Sequence, residues 1–225
     1  MAWRSSGSSN EGLVSNLVRN GLIEAGRVKE ALMRVDRAHF APDPSAAYED
    51  SPQPIGHGAT ISAPHMHASA CETLLPYLTP GAKVLDIGSG SGYLTAVLAH
   101  LVSPSGTVVG IDHIRPLVTL AQSNMHKSEA GRQMLDSGQV RFVLGDGRKG
   151  WKEAAPYDAI HVGAAAAHHH KELEEQLKAP GRMFVPVEEG WMQHIYVVDK
   201  KEDGTVEKKK LYGVQYVPLT DAPRE

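Results

Sequence analysis

The residues best placed to do chemistry form the run Val84-Leu85-Asp86-Ile87-Gly88-Ser89-Gly90-Ser91-Gly92-Tyr93-Leu94, in which a short apolar strand passes through a glycine-rich turn into a helix. Glycines in such a turn let the backbone approach a ligand lying beyond the carboxyl end of a parallel strand. Spacing excludes three common uses. A dinucleotide fingerprint needs G-x-G-x-x-G, but the glycines fall at 88, 90 and 92 and position 93 is Tyr. A phosphate-gripping loop needs a lysine after its last glycine, and none follows Gly92. A nucleophile elbow centred on Ser91 would need glycines where Ser89 and Tyr93 stand. Asp112 closes the next apolar run about 20 residues on, where a carboxylate can accept from ribose hydroxyls. The third run ends Gly145-Asp146-Gly147. Asp86, Asp112 and Asp146 could instead cap the helices after their strands.

Ser62, two residues before Pro64, offers a hydroxyl that either serves a reaction or caps the helix that Pro64 opens. Twelve histidines raise the question of a metal, but neither His65-x-His67 nor His168-His169-His170 falls in an H-E-x-x-H or Cys/His pattern, so no metal is expected. The one cysteine, Cys71, lies on an apolar stripe and reads as a small core residue.

The elements that must position these residues follow from periodicity. Leu13, Val14, Leu17 and Val18 share a helical face behind a cap at Ser9 or Asn10, and Asn20-Gly21 stops it. Val28, Leu32 and Val35 mark a second helix, and four prolines between 42 and 54 then punctuate a loop. Everything up to about residue 60 reads as helical or irregular, with the first ten residues a frayed tail. Ala68, Cys71, Leu75 and Leu78 form a helical stripe ended by Pro80-Gly81. Strands at 83–87, 107–111, 140–144 and 158–162 then alternate with helices at 94–101, 116–127 and 171–177. A turn at Pro180-Gly181 leads to a strand at 183–187, and strands at 193–198 and 210–217 make a hairpin around residues 202–204, with Lys208-Lys209-Lys210 beside it. The expectation is an α/β fold with a mostly parallel, doubly wound sheet, N-terminal helices and a C-terminal antiparallel hairpin.

At 225 residues, one domain is expected, with a helical and loop segment over 1–60, an α/β core over 80–190 and a hairpin and tail over 191–225. Hydrophobic residues at 41% and charged residues at 22% suit a globular core. Lys+Arg 23 against Asp+Glu 26 gives a net charge of -3, which offers no basic excess for nucleic acid. No apolar run is long enough to cross a bilayer, and one cysteine cannot form an internal disulfide, so a reducing, cytoplasmic setting is expected.

The run Asp86-x-Gly88-x-Gly90-x-Gly92 resembles the adenosylmethionine motif of class I methyltransferases, whose fold is Rossmann-like. More specifically, the chain resembles the protein-L-isoaspartate (D-aspartate) O-methyltransferases of eukaryotic type, from Met1-Ala2-Trp3 to Leu219-Thr220-Asp221. The stretches that carry this are Asp50-Ser51-Pro52-Gln53, Ala59 through His67, Gly145-Asp146-Gly147-Arg148, Tyr157 through Ala165, and Val217-Pro218-Leu219-Thr220. The resemblance implies an enzyme that uses S-adenosyl-L-methionine to methylate the free α-carboxylate of isoaspartyl, and possibly D-aspartyl, residues in damaged proteins and peptides. The ester then closes to a succinimide. It implies Ser62 as the active-site hydroxyl, and Ala59, Thr60, Ile61, His65, Asp86, Gly88, Ser89, Gly90, Gly92, Asp112, His113, Asp146, Gly147 and Thr220 on the cofactor side. It implies Val162, Gly163, Ala164, Ala165 and Val217, with Ser62, on the substrate side. A monomer without nucleic-acid or membrane partners is expected. The segment Ala167-His168-His169-His170 departs from the family's prolines and aliphatics, so a reshaped substrate rim is expected. A non-catalytic adenosylmethionine-binding adaptor and a small-molecule carboxyl methyltransferase are the alternative readings.

Overall fold

The computed structural model describes residues 5–219. Seven strands form one sheet in the order β5-β4-β3-β6-β7-β8-β9. They are β3 (Lys83–Ile87), β4 (Thr107–Asp112), β5 (Val140–Leu144), β6 (Tyr157–Val162), β7 (Leu177–Glu189), β8 (Met192–Lys200) and β9 (Val206–Val214). The first five strands in that order run parallel, and β8 and β9 add antiparallel pairs at one edge. The crossovers are α4 (Tyr93–Val102), α5 (Arg115–Met125) with α6 (Glu129–Asp136), and α7 (Lys171–Gln176). Side chains alternate across the pleat, so Val84 and Val108 join one apolar cluster with α4, while Leu85, Ile87, Val109 and Ile111 join a second on the opposite face. Burial on both faces is why these strands read as continuous apolar runs.

Before the sheet come α1 (Asn10–Arg19), α2 (Gly26–Arg34) and α3 (Pro64–Leu74). Several expectations need correction here. Residues 53–61 are not irregular. Strands β1 (Gln53–Gly56) and β2 (Ala59–Ile61) pair as an antiparallel hairpin. Its two-residue turn has positive φ at both His57 (54°) and Gly58 (72°), the twist that a tight hairpin favours. Nor are residues 5–10 frayed. Ser5 is buried and its hydroxyl receives Asn20 Nδ2–H at 2.9 Å, while Gly7 N–H donates to the Tyr48 carbonyl at 3.0 Å.

At the other end, Pro180-Gly181 lies within β7, where the pairing register with β6 shifts between Tyr157 and Ala159. The hairpin's second strand begins at Val206, so the three lysines sit inside β9. Lys208 reaches Glu174 at 2.6 Å, and Lys210 pairs with Glu189. β9 is the exposed edge, and lysine along it discourages pairing with another sheet.

Helix α6 escaped the periodicity reading. Ser128 opens it by accepting Gly131 N–H at 3.0 Å. Ser128→Ala is expected to cost about 1 kcal/mol, a fall in Tm of roughly 2–4 °C in a thermal melt. An unchanged Tm would show that the cap contributes nothing.

Candidate active site

Beyond the carboxyl end of β3, Gly88, Gly90 and Gly92 take φ of 73°, 51° and 84°, a path closed to most side chains. The turn is held from β4, because Gly88 and Ser89 N–H both donate to the Ile111 carbonyl, at 2.8 and 3.1 Å. Asp112 completes the hold: its buried carboxylate accepts Gly90 N–H through Oδ2 at 3.1 Å and Ile114 N–H through Oδ1 at 3.0 Å. Burial raises the Asp112 pKa against the lowering effect of these bonds.

A cavity of about 380 Å³ opens here. It falls in the range of small-molecule and cofactor sites. Of the expected residues, Ala59, Thr60, Gly88, Gly90, Asp112, His113, Gly147, Gly163, Ala164 and Val217 line it. A smaller recess of about 30 Å³ adjoins it, reached by Ile61, Ser62, Asp86 and Ser89, with Thr60, Gly88, Gly90 and Gly163 shared between the two. Gly147 must be glycine, since a Cβ there would lie 2.4 Å from Ile87 Cγ2. The tail crosses the loop after β6 by two backbone bonds, Ala165 N–H to the Val217 carbonyl at 2.8 Å and Leu219 N–H to the Ala165 carbonyl at 2.7 Å.

The remaining expected residues sit elsewhere. Val162 is wholly buried in the core, Ala165 serves the tail through its backbone, and Gly92 opens α4 against Ala121 and Phe142. His65 is turned to Asp50, whose Oδ1 meets its Nδ1 at 2.8 Å. Asp146 points its carboxylate at Arg148, with Oδ1 and Oδ2 each 2.9 Å from a guanidinium nitrogen, and also caps the turn by accepting Arg148 N–H. These bonds lower its pKa. Only its neighbour Gly147 reaches the cavity. Thr220 lies outside the described residues.

Asp86 is doubly engaged below the turn, by His161 Nδ1 at 2.8 Å and by Thr95 Oγ1–H at 2.5 Å. Ser62 is not a helix cap: Ala63 occupies the N-cap of α3, with no side-chain cap bond. The periodicity reading missed Arg37, which is 0% exposed behind Ser62, because an arginine at that position carries no local signal of burial. None of His168, His169 and His170 lines the cavity. The His168 and His170 rings lie tilted at 51° to one another with centroids 4.4 Å apart, and His169 meets Tyr196 edge-on at 5.0 Å. Among the described residues, no group of three or more His, Cys, Asp or Glu could hold a metal ion.

A parallel sheet with a D-x-G-x-G-x-G turn at its central strand, and an acidic residue closing the neighbouring strand over a cofactor-sized cavity, defines a class I methyltransferase. Residues 8–224 match the family model described as Protein-L-isoaspartate(D-aspartate) O-methyltransferase. The protein-L-isoaspartate O-methyltransferase of Caenorhabditis elegans is 49% identical over 220 residues, 98% of this chain and 96% of that one. That of Triticum aestivum is 49% identical over 211 residues, covering 94% and 91%. A Plasmodium falciparum chain described as a protein-L-isoaspartate O-methyltransferase, solved in complex with S-adenosyl-L-homocysteine, superposes with a TM-score of 0.88 at 31% identity, covering 95% of this chain and 99% of that one. The chain belongs to the protein-L-isoaspartate(D-aspartate) O-methyltransferase family.

Proposed function

We propose that the protein transfers the methyl group of S-adenosyl-L-methionine to the free α-carboxylate of L-isoaspartyl residues, and of D-aspartyl residues as a second class, in damaged proteins and peptides. The observation that carries this reading is the Ser62 hydroxyl, free of any capping duty, in a polar recess that opens onto a cavity of cofactor size. The cavity suits the cofactor. Asp112 has spent two of about four acceptor sites on backbone N–H groups, which leaves lone pairs for ribose hydroxyls. Ser89 Oγ, in the lining of the recess, is buried with no hydrogen-bond partner among the described residues, and a polar ligand would satisfy it.

The bound cofactor supplies an electrophilic methyl group on a sulfonium. A carboxylate with pKa near ~4 is already ionised at neutral pH, so no general base is needed. The chain's part is placement. Ser62 donates to one carboxylate oxygen, leaves the other to attack, and does not pin charge as a direct guanidinium contact would. The apolar wall of Ile87, Ile111, Ile114 and Leu117 limits the water around the bound cofactor. That exclusion favours a step in which a cation and an anion neutralise one another.

The test uses labelled cofactor and a matched pair of peptides, one isoaspartyl and one normal. Base-labile methyl, released as methanol from the isoaspartyl peptide alone, is the expected result. Equal labelling of both peptides would reject the substrate assignment, and labelling of neither would favour a non-catalytic binder. A monomer in the cytoplasm, acting on proteins and not on nucleic acid, completes the reading. The net charge of -3 supports the exclusion of nucleic acid, and the single buried cysteine supports a reducing compartment. Among the described residues no helix is long and apolar enough to cross a membrane.

The rim carries its own prediction. Replacing His168, His169 and His170 together by Pro, Val and Val is expected to reorder a panel of isoaspartyl peptides while leaving cofactor affinity within about twofold, since the same loop lines the cavity through Gly163 and Ala164 and the histidines do not line it. An identical ranking by both proteins would remove the histidines from peptide choice.

A further inference from the structure

Trp191 and Met192 are the most exposed large apolar residues of the described chain, at 105% and 58%, and no step derived so far uses them. A lone exposed apolar side chain is ordinary, so position decides what it means. β7 runs parallel to β6 and Phe184 pairs with His161, which puts Val185 level with Val162, where β6 ends. From there β7 continues for four residues to Glu189, a rise of about 13 Å at ~3.3 Å per residue. It returns as β8 through a two-residue turn, with Glu189 paired to Met192 and Gly190 at φ of 62°. The cavity lies beyond the carboxyl ends of the parallel strands, so this two-stranded ribbon stands up at the cavity's edge of the sheet with Trp191 at its tip.

Each strand of the ribbon is tied to the cavity wall. The loop after β6, which lines the cavity through Gly163 and Ala164, is fastened to β7 by Ala166 N–H to the Pro186 carbonyl at 2.8 Å and by Glu188 N–H to the Ala166 carbonyl at 2.9 Å. On β8, Gln193 grips the segment that supplies Val217, Pro218 and Leu219 to the wall. Its Nε2–H donates to the Tyr216 carbonyl at 3.2 Å, and its Oε1 accepts Tyr216 N–H at 2.6 Å. Trp191 thus stands two residues from a side chain that holds the immediate neighbour of the cavity-lining Val217. The turn continues the cavity's rim outward.

We propose that the β7–β8 turn is an outer docking site for the acceptor polypeptide, where Trp191, with Met192 beside it, covers an apolar side chain about four to six residues from the isoaspartyl residue. The inference rests on the methyl-transfer reading and deepens it. The acceptor is one residue within a longer chain, so when its carboxylate enters the cavity the flanking chain must leave across the rim. An extended chain climbs the ribbon's ~13 Å in about four residues, which brings it to the indole. A contact that serves many damaged proteins must tolerate sequence. An indole does so, because it offers a large, rigid apolar face at little cost in side-chain freedom.

Trp191→Ala removes the contact and Trp191→Phe keeps a ring. Both changes fall on a wholly exposed side chain, so melting temperatures should match wild type. The probes are an isoaspartyl tetrapeptide, too short to reach the turn, and an isoaspartyl peptide of about sixteen residues with a leucine about five positions away on each side. For the long peptide, Trp191→Ala is expected to raise KM about three- to tenfold with kcat within about twofold, and Trp191→Phe to stay within about twofold of wild type. On the tetrapeptide all three proteins should agree. Calorimetric binding of the two peptides to protein loaded with S-adenosyl-L-homocysteine should show the same pattern. The long peptide should also shield Trp191 from acrylamide, read as the component of fluorescence quenching that Trp191→Ala abolishes. Long peptides with a single leucine identify the flank that docks. A wild-type KM for the long peptide in Trp191→Ala, an equal loss on both peptides, or an unshielded Trp191 would each overturn the docking site. So would a wild-type dimer in sedimentation that Trp191→Ala dissolves, because a second copy of the chain would then be the occupant. Binding and quenching need no turnover, so a wild-type protein that bound the peptides and methylated neither would reject the proposed function while these two readouts still decided the docking site.

Discussion

Asp112→Ala is expected to weaken S-adenosyl-L-homocysteine binding by about 1.5–3 kcal/mol, roughly ten- to a hundredfold, in a calorimetric titration. The side chain has two jobs that fail together. It offers its remaining lone pairs to the cavity, and it ties Gly90 and Ile114 N–H groups that would otherwise be left unpaired in a buried turn. Asp112→Asn separates the two, because the amide retains one acceptor oxygen and loses the charge, so a smaller loss is expected. The same carboxylate sets a pH dependence. Its pKa is raised by burial, and ligand hydroxyls bond best to the ionised form, so affinity should fall on acidification earlier than an ordinary carboxylate would allow. Unchanged affinity in Asp112→Ala would remove Asp112 from the cofactor site.

Ser62→Ala should act on turnover and not on cofactor binding. The hydroxyl stands in the recess, whereas the Ser62 backbone carbonyl, held by Arg37, is untouched by the substitution. Losing one hydrogen bond to a charged group corresponds to a fall in kcat/KM of about one to two orders of magnitude, with S-adenosyl-L-homocysteine affinity nearly intact. Since Ser62 caps no helix, the melting temperature should hold. Wild-type turnover in the variant would leave Ser62 as a lining residue only.

The parallel core was legible because β3, β4 and β6 are buried on both faces, and two-sided burial leaves an uninterrupted apolar run in the sequence. What escaped is what burial does not mark. The β1 and β2 hairpin makes three residue pairs and carries Pro54, and its one signal is the His57-Gly58 pair between Ile55 and Ile61. The edge strand β9 is exposed along nearly its whole length, so Lys208, Lys209 and Lys210 fit it as well as any alternating pattern would. At the site, the glycine turn and Asp112 were readable from spacing. Two side chains took directions that spacing does not encode: Asp146 chose Arg148, two residues away, and His65 chose Asp50, fifteen residues back. Arg37 was hidden for a related reason, since its partners Ser62 and His67 come from a helix start 25 and 30 residues further along the chain.

The segment strapped across Ala165 walls one side of the cavity. Among the described residues, two backbone hydrogen bonds fasten Val217 and Leu219 there, and each contributes a net of about 0.5–1.5 kcal/mol. Those two bonds alone would leave the latch undone for something between a per cent and a tenth of the time, and the packing of Leu219 against the core lowers that share. Exchange of spent cofactor for fresh is therefore expected to need only local opening at residues 217–219, on a timescale independent of how slowly the parallel strands themselves come apart.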